Sequence, residues 1–216
     1  MTTVGREFID LFDEWANHYD TTVEGYDEEY KDVFLHYENI LQEVVNQSGD
    51  VVLEFGCGTG NLTQKLIQAH KKVYSIEPSE MMRKKAKDKL ANNATIEDGD
   101  FLTFPIPNQQ VDTIVSTYAF HHLTDEEKEK AIGIYGSLLQ NGGKIVFADT
   151  AFIDQQAKED MIHEAKQKGY MRLAEDLQTE YYTTHKVLQT IFRKHGFTIT
   201  FTQMNAFVWL IQAVKQ

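Results

Sequence analysis

Apolar positions along this chain recur with two different spacings, and the points where one gives way to the other mark its elements. Near the start, Phe8, Leu11, Phe12, Trp15 and Tyr19 fall three and four residues apart, which predicts an amphipathic helix over 8–19. Tyr30, Val33, Phe34, Tyr37, Ile40 and Leu41 repeat the spacing and predict a second helix over 28–46. Short apolar runs then alternate with helical patterns: strands near 51–55, 73–77, 95–98, 111–116 and 144–149, with helices near 61–69, 80–91 and 125–139 between them. Such alternation predicts an α/β fold, a doubly wound sheet with helices on both faces. A last helix over 186–195 meets Gly196 at a C-cap position. Thr198 to Thr202 alternates strictly and Phe207 to Val214 is another apolar run, so two more strands close the chain and bring the sheet to seven.

Residues 151–183 exceed what this minimal sheet needs. They are polar and helical in pattern, with Met161, Tyr170, Met171, Leu173 and Leu177 as apolar anchors and Tyr181-Tyr182 at the end. Such a segment either sits over the carboxyl edge of the sheet, where ligands bind in open α/β folds, or is an ordinary crossover covering it. The expected organisation is one domain: a helical lid over 1–47, a nucleoside-binding half over 50–150, the helical insertion over 151–183, and a helix with terminal strands over 184–216.

The most specific signal is Val51-Val52-Leu53-Glu54-Phe55-Gly56-Cys57-Gly58-Thr59-Gly60-Asn61, a buried strand running through alternate glycines into a helix. Glycine suits a turn where the backbone adopts positive φ and another molecule approaches it closely. A dinucleotide fingerprint places its third glycine three residues after the second, but Gly60 comes two after Gly58. No Gly-Lys-Ser/Thr follows either, which excludes a P-loop. A nucleoside bound without a phosphate cradle fits better. Glu77 ends the second strand where this topology places the acid that accepts both ribose hydroxyls. Asp100 and Phe101 follow the third strand, where a carboxylate can accept from an adenine amino group and an aromatic ring can cover the base.

Taken in order, the E-x-G-x-G-x-G run from Glu54, the acid Glu77 and the Gly99-Asp100 pair resemble the class I S-adenosylmethionine-dependent methyltransferases. Phe12-Asp13-Glu14-Trp15-Ala16-Asn17-His18-Tyr19-Asp20 is similar to a helix that closes over the cofactor in many small-molecule members, and the resemblance covers nearly the whole chain. Gly5-Arg6-Glu7-Phe8 and Phe34-Leu35-His36-Tyr37 resemble the YrrT family of putative methyltransferases. The resemblance implies a Rossmann-like seven-stranded sheet, mostly parallel with a C-terminal antiparallel hairpin, and S-adenosyl-L-methionine as cofactor with S-adenosyl-L-homocysteine as product. The implied contacts are Gly56, Glu77 and Asp100, joined by Gly58, Gly60, Phe101 and Ser116. In that family the acid matching Glu54 lies near the amino group of the methionine moiety. Trp15 and Tyr19 either touch the cofactor as part of the lid or are plain core on an apolar stripe. A nicotinamide oxidoreductase and a non-catalytic S-adenosylmethionine binder are the rival readings.

Composition narrows the partners. A formal charge of −12 argues against DNA or RNA, which need a basic stripe; Arg83-Lys84-Lys85 and Lys128 with Lys130 read as solvated helix faces. The acidic block of Asp20, Glu24, Asp27, Glu28 and Glu29 beside the lid either starts a helix or attracts a cationic substrate. No apolar run is long enough to span a bilayer, and the lone Cys57 allows no internal disulfide, so a cytoplasmic enzyme acting on a small-molecule acceptor is expected. Cys57 itself reads as a small filler, with no His or Lys beside it to generate thiolate.

Beyond the fourth strand, Ser116, Thr117 and Tyr118 should line the cleft near the transferable methyl, and His121 and His122 are the general bases the motif places. Their rival role is to fix the loop ahead of the Thr124-Asp125-Glu126-Glu127 capping box. No metal is expected, because adjacent histidines seldom ligate one ion and no third ligand is spaced to join them. Methyl transfer is an in-line displacement that destroys charge, so alignment is the protein's main contribution; oxygen, nitrogen, sulfur and carbon acceptors stay open.

Overall fold

A computed structural model describes residues 19–91 and 94–216. Its frame is one seven-stranded sheet: β1 (Val51–Phe55), β2 (Lys72–Ile76), β3 (Thr95–Glu97), β4 (Thr113–Thr117), β5 (Lys144–Thr150), β6 (Phe197–Gln203) and β7 (Val208–Lys215). The spatial order is β3-β2-β1-β4-β5-β7-β6. All neighbours as far as β5 are parallel; β7 pairs antiparallel with both β5 and β6, which forms the expected C-terminal hairpin.

Period-two alternation divides the strand side chains between two cores. Val52, Val115, Val146 and Val208 face a layer built from α1 (Tyr37–Gln47), α2 (Asn61–Gln68), α5 (Gln155–Gln167) and α6 (Met171–Thr179), meeting Ile40, Leu41, Leu66 and Leu177. Leu53, Ile114, Ile145 and Phe147 point the other way, onto α4 (Asp125–Leu138) and α7 (His185–Lys194), and bury Tyr135, Leu188 and Phe192. Near β3, α3 (Glu80–Leu90) packs Ala86 and Leu90 against Ile96. The chain order reverses between β1 and β4, and the crevice at their carboxyl ends is where such sheets bind ligands.

Several expectations change. The helix over 28–46 starts only at Tyr37, because His36 sits in the left-handed region (φ 65°) and the preceding residues fold into turns. Those turns let Phe34 and Tyr37 reach Tyr118, at ring-centroid distances of 5.0 and 5.6 Å. Asp27 and Glu29 pair with Arg172 on α6, and Glu29 also accepts from the backbone N–H groups of Arg172 and Leu173, so these acids of the block hold the start of a distant helix. Lys128 is buried, its ammonium donating to the carbonyls of Leu123 and Tyr181. Met171, read as an anchor, is exposed, whereas Leu173 and Leu177 are buried. Most of the first expected helix, Trp15 included, lies outside the described residues.

Tyr135 ties this frame to the site. Fully buried on α4, it stacks on Phe55, and its hydroxyl donates to the carbonyl of Phe101 at 2.9 Å. Removing the hydroxyl deletes a buried hydrogen bond while keeping the ring. Tyr135→Phe should lower unfolding free energy by about 1–3 kcal/mol, read as a shifted urea midpoint; an unchanged midpoint would show that the bond contributes nothing.

Candidate active site

The glycine turn after β1 curls back on itself. Gly56, Gly58 and Gly60 all have positive φ, at 64°, 55° and 87°. A Cβ at Gly56 would lie 2.7 Å from the Ala119 methyl, while one at Gly58 would meet nothing within 4 Å, so at Gly58 the backbone faces open space. Gly56 N–H donates to the carbonyl of Ile76 at 2.9 Å, which ties the turn to the end of β2. Glu77 follows there, buried, with Oε2 accepting from Gly58 N–H at 2.8 Å and Oε1 from Ser79 N–H at 2.9 Å. Arg83 braces the same corner, donating to the carbonyls of Glu77 and Pro78 at 2.7 Å each and to Asp98 at 2.9 Å. Its basic cluster had read as solvated; a cation one helical turn past the Ser79 N-cap was the signal for this clamp.

Beyond β3, Asp100 Oδ1 accepts from the N–H groups of Leu102 and Thr103 at 2.9 and 2.8 Å, so the carboxylate is fixed by its own loop. Gly56, Gly58, Glu77, Asp100 and Phe101 together line a cleft completed by Tyr19, Pro78, Met82, Thr117 to Ala119, His122 and Leu123. The motif residues from three strands therefore converge, with Phe101 and Met82 as its apolar walls.

Three expected contacts fall outside the wall of that cleft. Glu54 is fully buried behind the turn, its Oε2 accepting from Thr63 Oγ1 at 2.6 Å and Ser75 Oγ at 2.8 Å. Gly60 serves close packing at the start of α2: a Cβ there would lie 3.1 Å from Leu90 Cδ1. Ser116 is buried in β4, and its neighbours Thr117 and Tyr118 reach the cleft in its place. Cys57 is buried, and desolvation holds its thiol well above the ordinary range, as suits a filler.

A second cavity adjoins the first and shares Tyr19, Tyr118 and His122 with it. Its walls come from the chain before α1 and from the 151–183 segment: Tyr30, Phe34, Leu177, Glu180 and Tyr182 among others. Tyr118 stands between the two cavities in a left-handed conformation, φ 53°, which a non-glycine residue keeps only where its surroundings impose it. Here its N–H donates to the carbonyl of Ala148 at 2.9 Å and its ring lies among Phe34 and Tyr37.

His121 and His122 form a 3-10 turn between Tyr118 and the capping box, which is present at Thr124 and Glu127. Neither is a freely turning base. His121 is buried, its Nδ1 2.5 Å from Asp149 Oδ1, its Nε2 3.3 Å from Glu180 Oε2, and its ring stacked on Tyr182. Burial alone would lower its pKa; the carboxylates of Asp149 and Glu180 outweigh this and hold it above the ordinary value. Burial, followed by the charge on His121, pushes His122 well below. The sequence reading saw no third donor, yet one donor atom from each of His121, His122 and Glu180 lies within 4.8 Å of the others. Asp149 was passed over in the sequence, although an acid at the end of a predicted strand was a signal for it; Glu180 gave none, because only the fold of α5 and α6 brings it there.

Against known proteins, a methyltransferase-domain family model matches residues 52–143. An uncharacterized methyltransferase from Anoxybacillus flavithermus is 67% identical over 99% of this chain and 100% of its own length, and another from Geobacillus kaustophilus is 60% identical over 99% of each. Among solved structures, the fold is similar to magnesium protoporphyrin IX methyltransferase from Synechocystis with bound SAH (21% identity, TM-score 0.73, 96% of this chain and 98% of that one). It is equally similar to the cyclase SpnF (12% identity, TM-score 0.73, 98% and 96%), so the fold by itself does not fix a reaction.

Glu54 yields a pH prediction. Desolvation pushes its carboxyl from an ordinary 4.5 up to about 7, against the opposing hydrogen bonds from Thr63 and Ser75. The folded protein then holds a proton that the unfolded chain releases, so this group's stabilisation is complete below pH 4.5 and is lost as pH rises towards 7. The loss is on the order of 3 kcal/mol. Glu54→Gln cannot ionise, and its denaturation free energy should vary less between pH 5 and 8 than that of the unaltered protein; parallel pH profiles would refute the shift.

Proposed function

The chain belongs to the methyltransferase family that these relatives define, and on that premise we propose that it transfers the methyl group of S-adenosylmethionine to a small molecule held in the second cavity. The observation that carries this reading is the meeting of the two cavities at Tyr19, Tyr118 and His122. A donor in the first and an acceptor in the second would face each other there, which is the arrangement an in-line displacement requires.

The residues of the first cleft fit the donor. Backbone open at Gly58 suits close approach of the methionine portion. Glu77 is held by two backbone N–H groups at the β2 end, and a carboxylate offers about four acceptor sites, enough for ribose hydroxyls as well. Phe101 and Met82 supply apolar walls for a base, beside the fixed Asp100 carboxylate. Bound there, the cofactor supplies an electrophilic methyl on a sulfonium. The chain's own part is to orient it, to keep water from the reacting centre, and to place the acceptor. Tyr19, the last residue of the first expected helix, lines both cavities and is positioned to cover the junction. Buried Glu54 acts on this site through the β1–α2–β2 corner instead of by contact.

Release of S-adenosylhomocysteine in a screen of small metabolites tests turnover and acceptor together; binding of NADH but not of S-adenosylmethionine would refute the reading. A sharper test uses Glu77→Ala, expected to weaken S-adenosylhomocysteine by about 1.5–3 kcal/mol. Because Glu77 also holds Gly58 N–H, the same variant is titrated with the 2′,3′-dideoxy analogue. The analogue should lose clearly less affinity than S-adenosylhomocysteine, because it shares the loss of the turn brace but not that of the ribose contacts; equal losses for both ligands would make Glu77 a purely structural brace of the turn.

A further inference from the structure

We propose that His121, His122 and Glu180 bind a divalent first-row metal ion, zinc by the character of the donors, in the wall of the second cavity. Two imidazoles and a carboxylate are a donor set that holds catalytic zinc while leaving a position for a further ligand. His121 Nε2 stands 3.3 Å from Glu180 Oε2, and His122 Nδ1 stands 3.9 Å from Glu180 Oε1. Two donors at roughly 2.0–2.2 Å from one tetrahedral ion lie about 3.3–3.5 Å apart. The first pair meets that spacing; the second, to the other oxygen of the same carboxylate, is wider, and one donor atom from each of the three residues lies within 4.8 Å of the others, so the ion would draw His122 in.

The surroundings supply what a metal site needs beyond its ligands. Asp149 takes the other nitrogen of His121 at 2.5 Å, and the same carboxylate accepts from the His121 backbone N–H at 3.1 Å. A carboxylate behind a histidine fixes which nitrogen faces the ion and raises its basicity. Lys128, bound to the carbonyls on either side of the cluster at Leu123 and Tyr181, locks the 3-10 turn to the segment that carries Glu180. All three donors line the second cavity, so the open side of the ion would face the acceptor, and His122 also borders the donor cleft.

The role of such an ion follows from its place and rests on the methyl-transfer reading. Coordination lowers the pKa of a thiol or hydroxyl, so the acceptor would bind as its anion and release its proton to water before transfer. The new bond forms between the acceptor sulfur or oxygen and the methyl carbon. The donor's S–C bond breaks with its electron pair remaining on sulfur, and the sulfonium becomes a neutral thioether. No separate base is then required of either histidine.

The test is calorimetric titration of the EDTA-stripped, dialysed protein with zinc chloride, and the absorption spectrum after cobalt(II) addition. One ion per chain is expected, with visible cobalt bands of a tetrahedral or five-coordinate site. His122→Ala and Glu180→Gln should each weaken zinc at least 100-fold, and Asp149→Asn by about 10- to 100-fold. S-adenosylhomocysteine affinity of Glu180→Gln is measured alongside, and should be retained. That control shows the variant folded and separates failure of the metal site from failure of the cofactor reading. No stoichiometric zinc uptake, or uptake indifferent to His122→Ala and Glu180→Gln, would overturn the proposal and leave a proton on His121 as the bridge between Asp149 and Glu180.

Discussion

The hydrogen bond from Gly58 N–H to Glu77 Oε2 at 2.8 Å, beside the one from Gly56 N–H to the carbonyl of Ile76, joins the two strand ends on which the site depends. It requires a turn after β1 whose backbone points into open space, and an acid immediately past β2 at the matching level. The parallel register pairs Phe55 with Ile76, so the residues that follow each strand emerge side by side at the same edge of the sheet. A carboxylate buried there without partners would be costly; two backbone N–H groups make it tenable. Arg83 and Ser79 complete the corner, one by holding the Glu77 carbonyl and the other by capping α3. The corner thus combines backbone N–H groups with the side chains of Glu77, Ser79 and Arg83.

Tyr118 plays the corresponding part on the other side of the switch point. β4 ends against the glycine turn, and the left-handed Tyr118 turns the chain sharply enough to place Ala119 against Gly56 and the two histidines against Asp149 and Glu180. One strained residue therefore sets the spacing between the donor cleft and the second cavity. Local strain of this kind costs on the order of 1–3 kcal/mol, and here the aromatic contacts of Phe34 and Tyr37 offset it. Those contacts exist because His36 breaks the helical run, which links the N-terminal segment to the geometry of the loop it covers.

What the sequence made legible and what it hid divide along physical lines. The strands, most helices and the positions of Gly56, Glu77, Asp100 and Phe101 were readable because each depends on local spacing: a period, a glycine, an acid just past a strand. The 28–46 helix misled because Tyr30, Phe34 and Tyr37 have helical spacing but answer to distant parts of the chain, Tyr30 to Asp176 and Phe34 and Tyr37 to Tyr118. Glu54 was placed by its motif, yet its side chain meets Thr63 and Ser75, and nothing in a strand's local pattern tells which neighbour an inward acid will find. Lys128 read as solvated because its neighbours are acidic; its burial depends on a carbonyl at Tyr181, supplied only when the 151–183 segment folds back. Glu180 was hidden for the same reason. The part of the site made by consecutive residues was visible, and the part made by long-range closure was not.

A crystal structure of the complex with S-adenosylhomocysteine would locate both ends of the ligand in one map. The ribose hydroxyls should rest on Glu77, the adenine between Phe101 and Asp100, and the sulfur in the gap bounded by Tyr19, Tyr118 and His122, facing the second cavity. An adenosyl group seated in the second cavity, or a sulfur turned away from the Tyr118 junction, would contradict the account.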